Sequence, residues 1–280
     1  MTFRLESAVS LPVSRRSFLS LASSGLAPGV APAAGPVYLN FNECPLGPAP
    51  AALDAAQAIL PRAGRYLFEL QHDLIALFAG EHQLPSDHVA VYPGSSDPLN
   101  RAARAFTSAR AGVVVADPTF EAVADVAGAP VRRVPLRADG GHDVKAMASA
   151  DPNAGLIYLC NPNNPTGSIT ARADIEWLLA NKPASSVLLV DEAYIHYSDQ
   201  PSVIDLIGQR QDLLVLRTFS KLYGMAGLHL GLTVTSPGLL TKLAAFGQNP
   251  AAVTAVAAGV ASLRDVQDVK RFDTKRADFF

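Results

Sequence analysis

Val187-Leu188-Leu189-Val190-Asp191-Glu192-Ala193-Tyr194 is the stretch on which the fold turns. Its first four residues are apolar with no alternation. A strand with one face in water would alternate, so a run of this kind belongs to a strand covered on both sides by helices, in a largely parallel sheet. The polar residues that follow then fall at the C-terminal end of that strand. This is the edge at which open α/β sheets bind ligands.

The same punctuation recurs outward in both directions. Residues 88–92, 112–115, 155–159, 187–190, 213–216 and 230–234 read as strands. Between them lie helical stretches, among them 97–106, and before them an extended arm over 40–50 and helices over 51–60 and 68–78. In the last of these, Leu70, Leu74, Ile75 and Phe78 repeat at helical spacing. A final helix is expected from about residue 251 toward the end of the chain. The expected fold is therefore α/β, a three-layer sandwich around a mostly parallel sheet.

Chemistry-bearing residues gather just past these strands. Gly94-Ser95-Ser96 follows the first, Asn164-Pro165-Thr166-Gly167 the third and Asp191 the fourth, while Arg217-Thr218-Phe219-Ser220-Lys221-Leu222-Tyr223-Gly224 follows the fifth. Each has an ordinary reading as well: Gly94-Ser95-Ser96 either offers amides to an anion or caps a helix, and Asn164 is also a turn residue before proline. Asp191 also reads as a cap, Phe120 and Tyr194 as core aromatics, and a lone lysine as a solvated surface charge. Their order along the chain favours the ligand reading.

Together with Leu39-Asn40-Phe41-Asn42-Glu43, Arg65-Tyr66, Gly94-Ser95-Ser96-Asp97 and Pro118-Thr119-Phe120, these motifs resemble the fold type I aminotransferases, class I/II. The wording is most similar to the histidinol-phosphate aminotransferase branch, from about residue 39 to the end of the chain. The resemblance implies pyridoxal 5'-phosphate as cofactor. It implies that Lys221 condenses with the cofactor aldehyde and later moves a proton at the substrate Cα, and that Asp191 meets the pyridine nitrogen. Asn164 and Tyr194 are implied at the phenolic oxygen, Phe120 over the ring face, and Ser95, Ser96, Thr218 and Ser220 at the phosphate. Tyr66 is implied at the phosphate of a neighbouring subunit, which makes a homodimer the expected assembly.

One position departs from the pattern. Eight residues after the lysine, where the resemblance implies an arginine, stands His229. An imidazole lacks the planar fork that grips a phosphate with two bonds, so weaker or more pH-dependent cofactor binding is expected.

The implied activity is transfer of an amino group between an amino acid or amino-phosphate donor and a 2-oxo acid. A non-catalytic cofactor-binding remnant and an amino acid phosphate decarboxylase stay open as alternatives. The domain expectations are a signal peptide over 1–34, an N-terminal arm over 35–60, a cofactor-binding domain over 61–250, and over 251–280 the start of a small C-terminal domain that is largely missing.

Bulk properties agree with a large core. The chain has 280 residues, 49% of them hydrophobic, with 23 basic against 25 acidic side chains. Such a balance gives no footprint for nucleic acid. At the N-terminus, Ser14-Arg15-Arg16-Ser17-Phe18-Leu19 and the later Ala31-Pro32-Ala33 fit a twin-arginine signal and its cleavage site, which predicts a periplasmic protein. The bland alternative is a leader with two chance arginines in a cytoplasmic protein. The apolar run between is too short and interrupted for a stable membrane anchor. Cys44 and Cys160 could pair in an oxidising compartment, but two unpaired, buried thiols are expected.

Overall fold

The computed structural model describes residues 40–247 and 249–265. The twin-arginine pattern, the cleavage-site stretch and residues 266–280 lie outside the described residues. Before the first strand come helices α1 (Pro50–Ile59) and α2 (Phe68–Glu81). The order then runs β1 (Val89–Tyr92), α3 (Ser96–Phe106), β2 (Val113–Asp117), α4 (Ala122–Val126), β3 (Val131–Pro135), α5 (Val144–Ser149), β4 (Leu156–Cys160) and α6 (Arg172–Asn181). It continues with β5 (Val187–Asp191), β6 (Leu213–Thr218), β7 (Gly231–Thr235), α7 (Pro237–Ala244) and α8 (Val253–Arg264).

The seven strands form one sheet in the order β1-β7-β6-β5-β4-β2-β3. All neighbours are parallel except at β7, which runs against both β1 and β6. That reversal matters for the site. The start of β7 lies at the same sheet edge as the ends of the other strands, so residues just before Gly231 join those that follow β1, β4, β5 and β6.

Both faces of the sheet are buried, as the unalternating runs predict. Ile157, Leu159, Leu188, Val190, Leu213 and Val215 pack on one side with Leu74 and Phe78 of α2, Ile175 and Leu178 of α6, and Val256 of α8. Leu156, Tyr158, Cys160, Leu189, Leu214 and Leu216 pack on the other with Leu99 of α3 and Leu239 and Leu243 of α7. The expected three-layer α/β sandwich is the fold observed.

Four details differ from the sequence reading. β3 was not expected, because Val131-Arg132-Arg133-Val134-Pro135 is no apolar run; it is an edge strand with both arginines exposed and a proline at its end. Asp191 and Thr218 are the last residues of their strands rather than loop residues, still in register with Cys160 and Gly231 respectively. The final helix spans Val253–Arg264, and the backbone leaves helical geometry at Asp265 (φ −99°, ψ 42°). Both cysteines are free, but only Cys160 is buried; Cys44 is partly exposed.

Candidate active site

Two adjoining parts of one sheet edge carry the site. The first lies at the ends of β4, β5 and β6, around a cavity of about 290 Å³ lined by Asn164, Tyr194, Lys221, Asn42, Ile169 and Tyr197, among others. Lys221 Nζ sits 5.6 Å from the centre of the Tyr194 ring. It donates to the carbonyls of Phe41 (2.6 Å) and Asn42 (3.2 Å), and Asn42 Nδ2 donates to Tyr194 Oη at 3.1 Å. Residues 41–42 of the arm therefore lie across the lysine.

The lysine loop is held to the arm by a close backbone approach. Gly224, at φ +66°, leaves no room for a Cβ, which would stand 2.0 Å from the Gly47 carbonyl oxygen. A larger residue at either requirement would strain the turn. Desolvation lowers the Lys221 pKa below the usual lysine value, against the opposing pull of Glu43 and Asp191. Burial thus makes the amine easier to obtain in its neutral, nucleophilic form.

Asp191 ends β5 with its carboxylate buried. Its Oδ1 accepts from the Ala193 amide at 3.1 Å and its Oδ2 from the Tyr158 hydroxyl at 3.0 Å. Desolvation raises its pKa from 3.8 to about 6; the Tyr158 and Ala193 bonds oppose the rise. The group is still ionised at neutral pH and can accept from a cationic donor.

Three asparagines crowd the turn after β4, and the structure separates their work. Asn161 exchanges bonds with the backbone of Thr170, and Asn163 is tied to Thr119 (2.8 Å), Thr166 (2.8 Å) and the Pro118 carbonyl (3.2 Å). Asn164 is the one of the three left with its side chain on the cavity without such ties in the loop. The same Asn163 bonds join the loop after β2, which carries Phe120, to the loop after β4. Phe120 is 37% exposed on that loop and is not among the cavity's lining residues.

The second part lies at the end of β1 and the start of β7. Ser95 is the N-cap of α3, yet its side chain makes no capping bond, so the helix's first amides are not closed off by their own cap. The ordinary reading of Gly94-Ser95-Ser96 as a helix cap therefore loses ground to an anion site. Gly231 opposes it so closely that a Cβ there would stand 2.5 Å from the Ser95 nitrogen. Thr218, paired with Gly231, accepts from the Ser220 amide at 3.1 Å and retains its own hydroxyl proton to donate. His229, at φ +53°, sets its Nδ1 3.7 Å from where a side chain on Gly94 would begin. Ser95, Thr218, Ser220 and His229 are thus drawn to one corner, with Ser96 opening the helix beside them.

Tyr66 stands apart from both parts. It is 70% exposed and stacks on Phe68 with ring centres 5.5 Å apart. Sequence reasoning did not single out Asn42 or Tyr158. Asn42 lay inside a quoted motif with no role assigned; Tyr158 reads as one more apolar residue in a buried strand, and only the fold shows what its hydroxyl meets. Among the described residues no cluster of side chains suited to a metal ion is found, and no helix is long and apolar enough to cross a membrane.

The corner of amides and hydroxyls fits a phosphate, and the buried carboxylate and cavity-facing amine fit a cationic ring bearing an aldehyde. The comparisons agree. The chain is 39% identical over 242 residues to a histidinol-phosphate aminotransferase of Symbiobacterium thermophilum, covering 84% of this chain and 66% of that protein. It is 37% identical over 237 residues to an aromatic amino acid aminotransferase of Rhodococcus jostii, covering 81% and 66%. The chain thus spans just under two thirds of the length of these curated relatives. Its fold superposes with a TM-score of 0.78 on the crystal structure of histidinol-phosphate aminotransferase from Sinorhizobium meliloti in complex with pyridoxal-5'-phosphate, at 29% identity, covering 85% of this chain and 67% of that one. The family model for aminotransferase class I and II matches residues 37–280, and the chain belongs to that family.

Proposed function

We propose that the chain binds pyridoxal 5'-phosphate and transfers an amino group between an amino donor and a 2-oxo acid. The observation that carries this reading is the placement of the Lys221 amine and the Tyr194 ring on one cavity, with the buried Asp191 carboxylate at the end of the neighbouring strand. When bound, the cofactor supplies an aldehyde for capturing amines and an electron sink for charge developing at the substrate Cα.

The protein's own groups do the rest. The α3 amides at Ser95 and Ser96, with the Thr218 and Ser220 hydroxyls and His229, hold the phosphate. Asp191 stays ionised at neutral pH and accepts a proton-bearing ring nitrogen. Tyr194 accepts from Asn42 and can spend its own proton, with the Asn164 amide, on the phenolic oxygen. Phe120 is assigned to the ring face. Lys221, whose neutral form is favoured by desolvation, would take the proton from the substrate Cα and hold it for return at the cofactor.

For the donor, the cavity favours an aromatic side chain. Ile169, Tyr194, Tyr197 and two prolines line it, and of all its lining residues only Lys221 carries a full charge. That supports the aromatic amino acid reading over a phosphate-bearing donor, although relatives of both names are similar to this chain. Cofactor-loaded protein mixed with tyrosine or phenylalanine should lose its visible absorption as the amine form of the cofactor appears. Unchanged absorption with every amino acid tried, including histidinol phosphate, would leave a cofactor-binding remnant and end the transferase reading. Release of carbon dioxide from an amino acid phosphate would favour the decarboxylase instead.

The assembly belongs to the same reading. Tyr66 and Phe68 stack on each other while 70% and 53% exposed, an apolar pair that supports a homodimer with Tyr66 reaching a neighbour's phosphate. Sedimentation at low micromolar concentration tests it, and a monomer with full cofactor affinity contradicts it. Residues 61–250 are read as the cofactor-binding body and 251–280 as leading into a small domain. The twin-arginine stretch supports periplasmic delivery, and cell fractionation of the Arg15→Lys, Arg16→Lys variant checks that.

A further inference from the structure

Asp191 is a buried polar group of the site, and one side chain meets it from the core. Tyr158 and Cys160 are two residues apart on β4 and so share a face, and Cys160 stands in register with Asp191 on β5. The neighbours on that face, Leu156, Leu189, Leu214 and Leu216, are aliphatic and fully buried. Tyr158 is itself 0% exposed. Packing alone would be served by leucine or phenylalanine. The hydroxyl instead costs desolvation unless it is bonded, and its partner is Asp191 Oδ2 at 3.0 Å.

We propose that Tyr158 is a positioning residue for Asp191: one buried hydrogen bond from its hydroxyl holds the carboxylate ionised and in a single orientation for the ligand ring. The groups that face Asp191 leave this task to few others. The Ala193 amide occupies the other oxygen at 3.1 Å. The Cys160 thiol donates to the Pro162 carbonyl at 3.3 Å, and burial pushes its pKa up, so it stays neutral. Glu192 repels the charge and Lys221 attracts it, both more weakly than desolvation acts. Tyr158 does not compete for the proton, because burial beside Asp191 drives its own pKa well above the ordinary phenol value. Without its bond, burial would act on one carboxylate oxygen unopposed.

This inference rests on reading Asp191 as the partner of the ring nitrogen, and its test separates the two. In full-length, cofactor-free Tyr158→Phe protein, the carboxyl infrared band of Asp191, assigned by its loss in Asp191→Asn, should titrate about one pH unit higher than in wild type, roughly tenfold in proton affinity. In the loaded variant, the pH dependence of the bound cofactor's absorption should move in the same direction. A purely structural role would lower the melting temperature and leave both midpoints in place, which overturns the proposal. If the carboxyl midpoint moves and the cofactor's does not, the hydrogen bond matters but Asp191 does not serve the ring, and the positioning role fails with that reading. Should the variant not fold, the wild-type Tyr158 hydroxyl proton resonance must shift with the Asp191 midpoint; a resonance indifferent to that titration also overturns the proposal.

Discussion

The two parts of the site are built from different materials. At the ends of β4, β5 and β6 the candidate groups are side chains on or just past fully buried strands: Asp191 with two bonds to its oxygens, Lys221 bonded to the arm, Asn164 beside an asparagine that ties two loops. At the end of β1 and start of β7 the working groups are largely backbone, and what shapes them is missing Cβ atoms: Gly94 at φ +82° and Gly231 pressed on the Ser95 amide. The first part is set by the core and can tune proton affinities. The second is set by close approach, with the Thr218 and Ser220 hydroxyls and the His229 ring added at its rim. Chemistry and retention of the cofactor should therefore respond to different substitutions.

The largest effect belongs to the side-chain part. Lys221→Ala should remove the visible absorption of the bound cofactor and lower turnover by roughly 100- to 10,000-fold, the range for loss of a proton-transfer group. Stopped-flow spectra of the loaded protein check this. Retained absorption would move the covalent site elsewhere.

Asp191 gives the next effect, and its sign is the reverse of the usual carboxylate. Its pKa rises from 3.8 to about 6 on folding, so the unloaded folded protein binds this proton more tightly than the unfolded chain. The stabilisation that this group contributes is complete below its unfolded pKa and is lost as pH rises through about 6, about 3 kcal/mol at ~1.36 kcal/mol per unit. Asp191→Asn should remove that component. Urea unfolding of both proteins at about pH 4 and about pH 7 measures it.

Gly231→Ala probes the backbone part. A Cβ placed 2.5 Å from the Ser95 nitrogen must push the cradle open. Overpacking of this kind costs about 1–3 kcal/mol, and cofactor affinity should weaken by roughly 5- to 150-fold. The Lys221 chemistry should survive at saturating cofactor. Loss of turnover even when saturated would blur the distinction between the two parts.

The smallest effect sharpens the same distinction from the other side. His229→Arg should tighten cofactor binding by about tenfold, or ~1.4 kcal/mol, because a guanidinium offers two charged donors in one plane. Equal or weaker affinity in a spectroscopic titration would mean that the loop at His229 cannot present the fork to the phosphate.

Much of this arrangement was legible in the chain. Apolar runs such as 187–190 and 213–216 announce doubly covered strands, and the motif order by itself places Lys221, Asp191 and Asn164 at one edge. What escaped has physical reasons. β3 is an edge strand with two exposed arginines, so it carries no hydrophobic run. The reversal of β7, which brings His229 to the site, depends on pairing between distant strands rather than local composition. Tyr158 was hidden because a buried hydroxyl shows its purpose only through the partner across the sheet. The resemblance points to Asn164; the hydrogen-bond partners of Asn161 and Asn163 show what sets it apart from its neighbours.

The central claim is that the Lys221 amine is where the cofactor is held. Purified protein loaded with pyridoxal 5'-phosphate, reduced with borohydride and digested, gives the most direct test by peptide mass spectrometry. The account predicts a single modified peptide with the added mass on Lys221. A label spread over exposed lysines, or fixed at a different lysine, would contradict it.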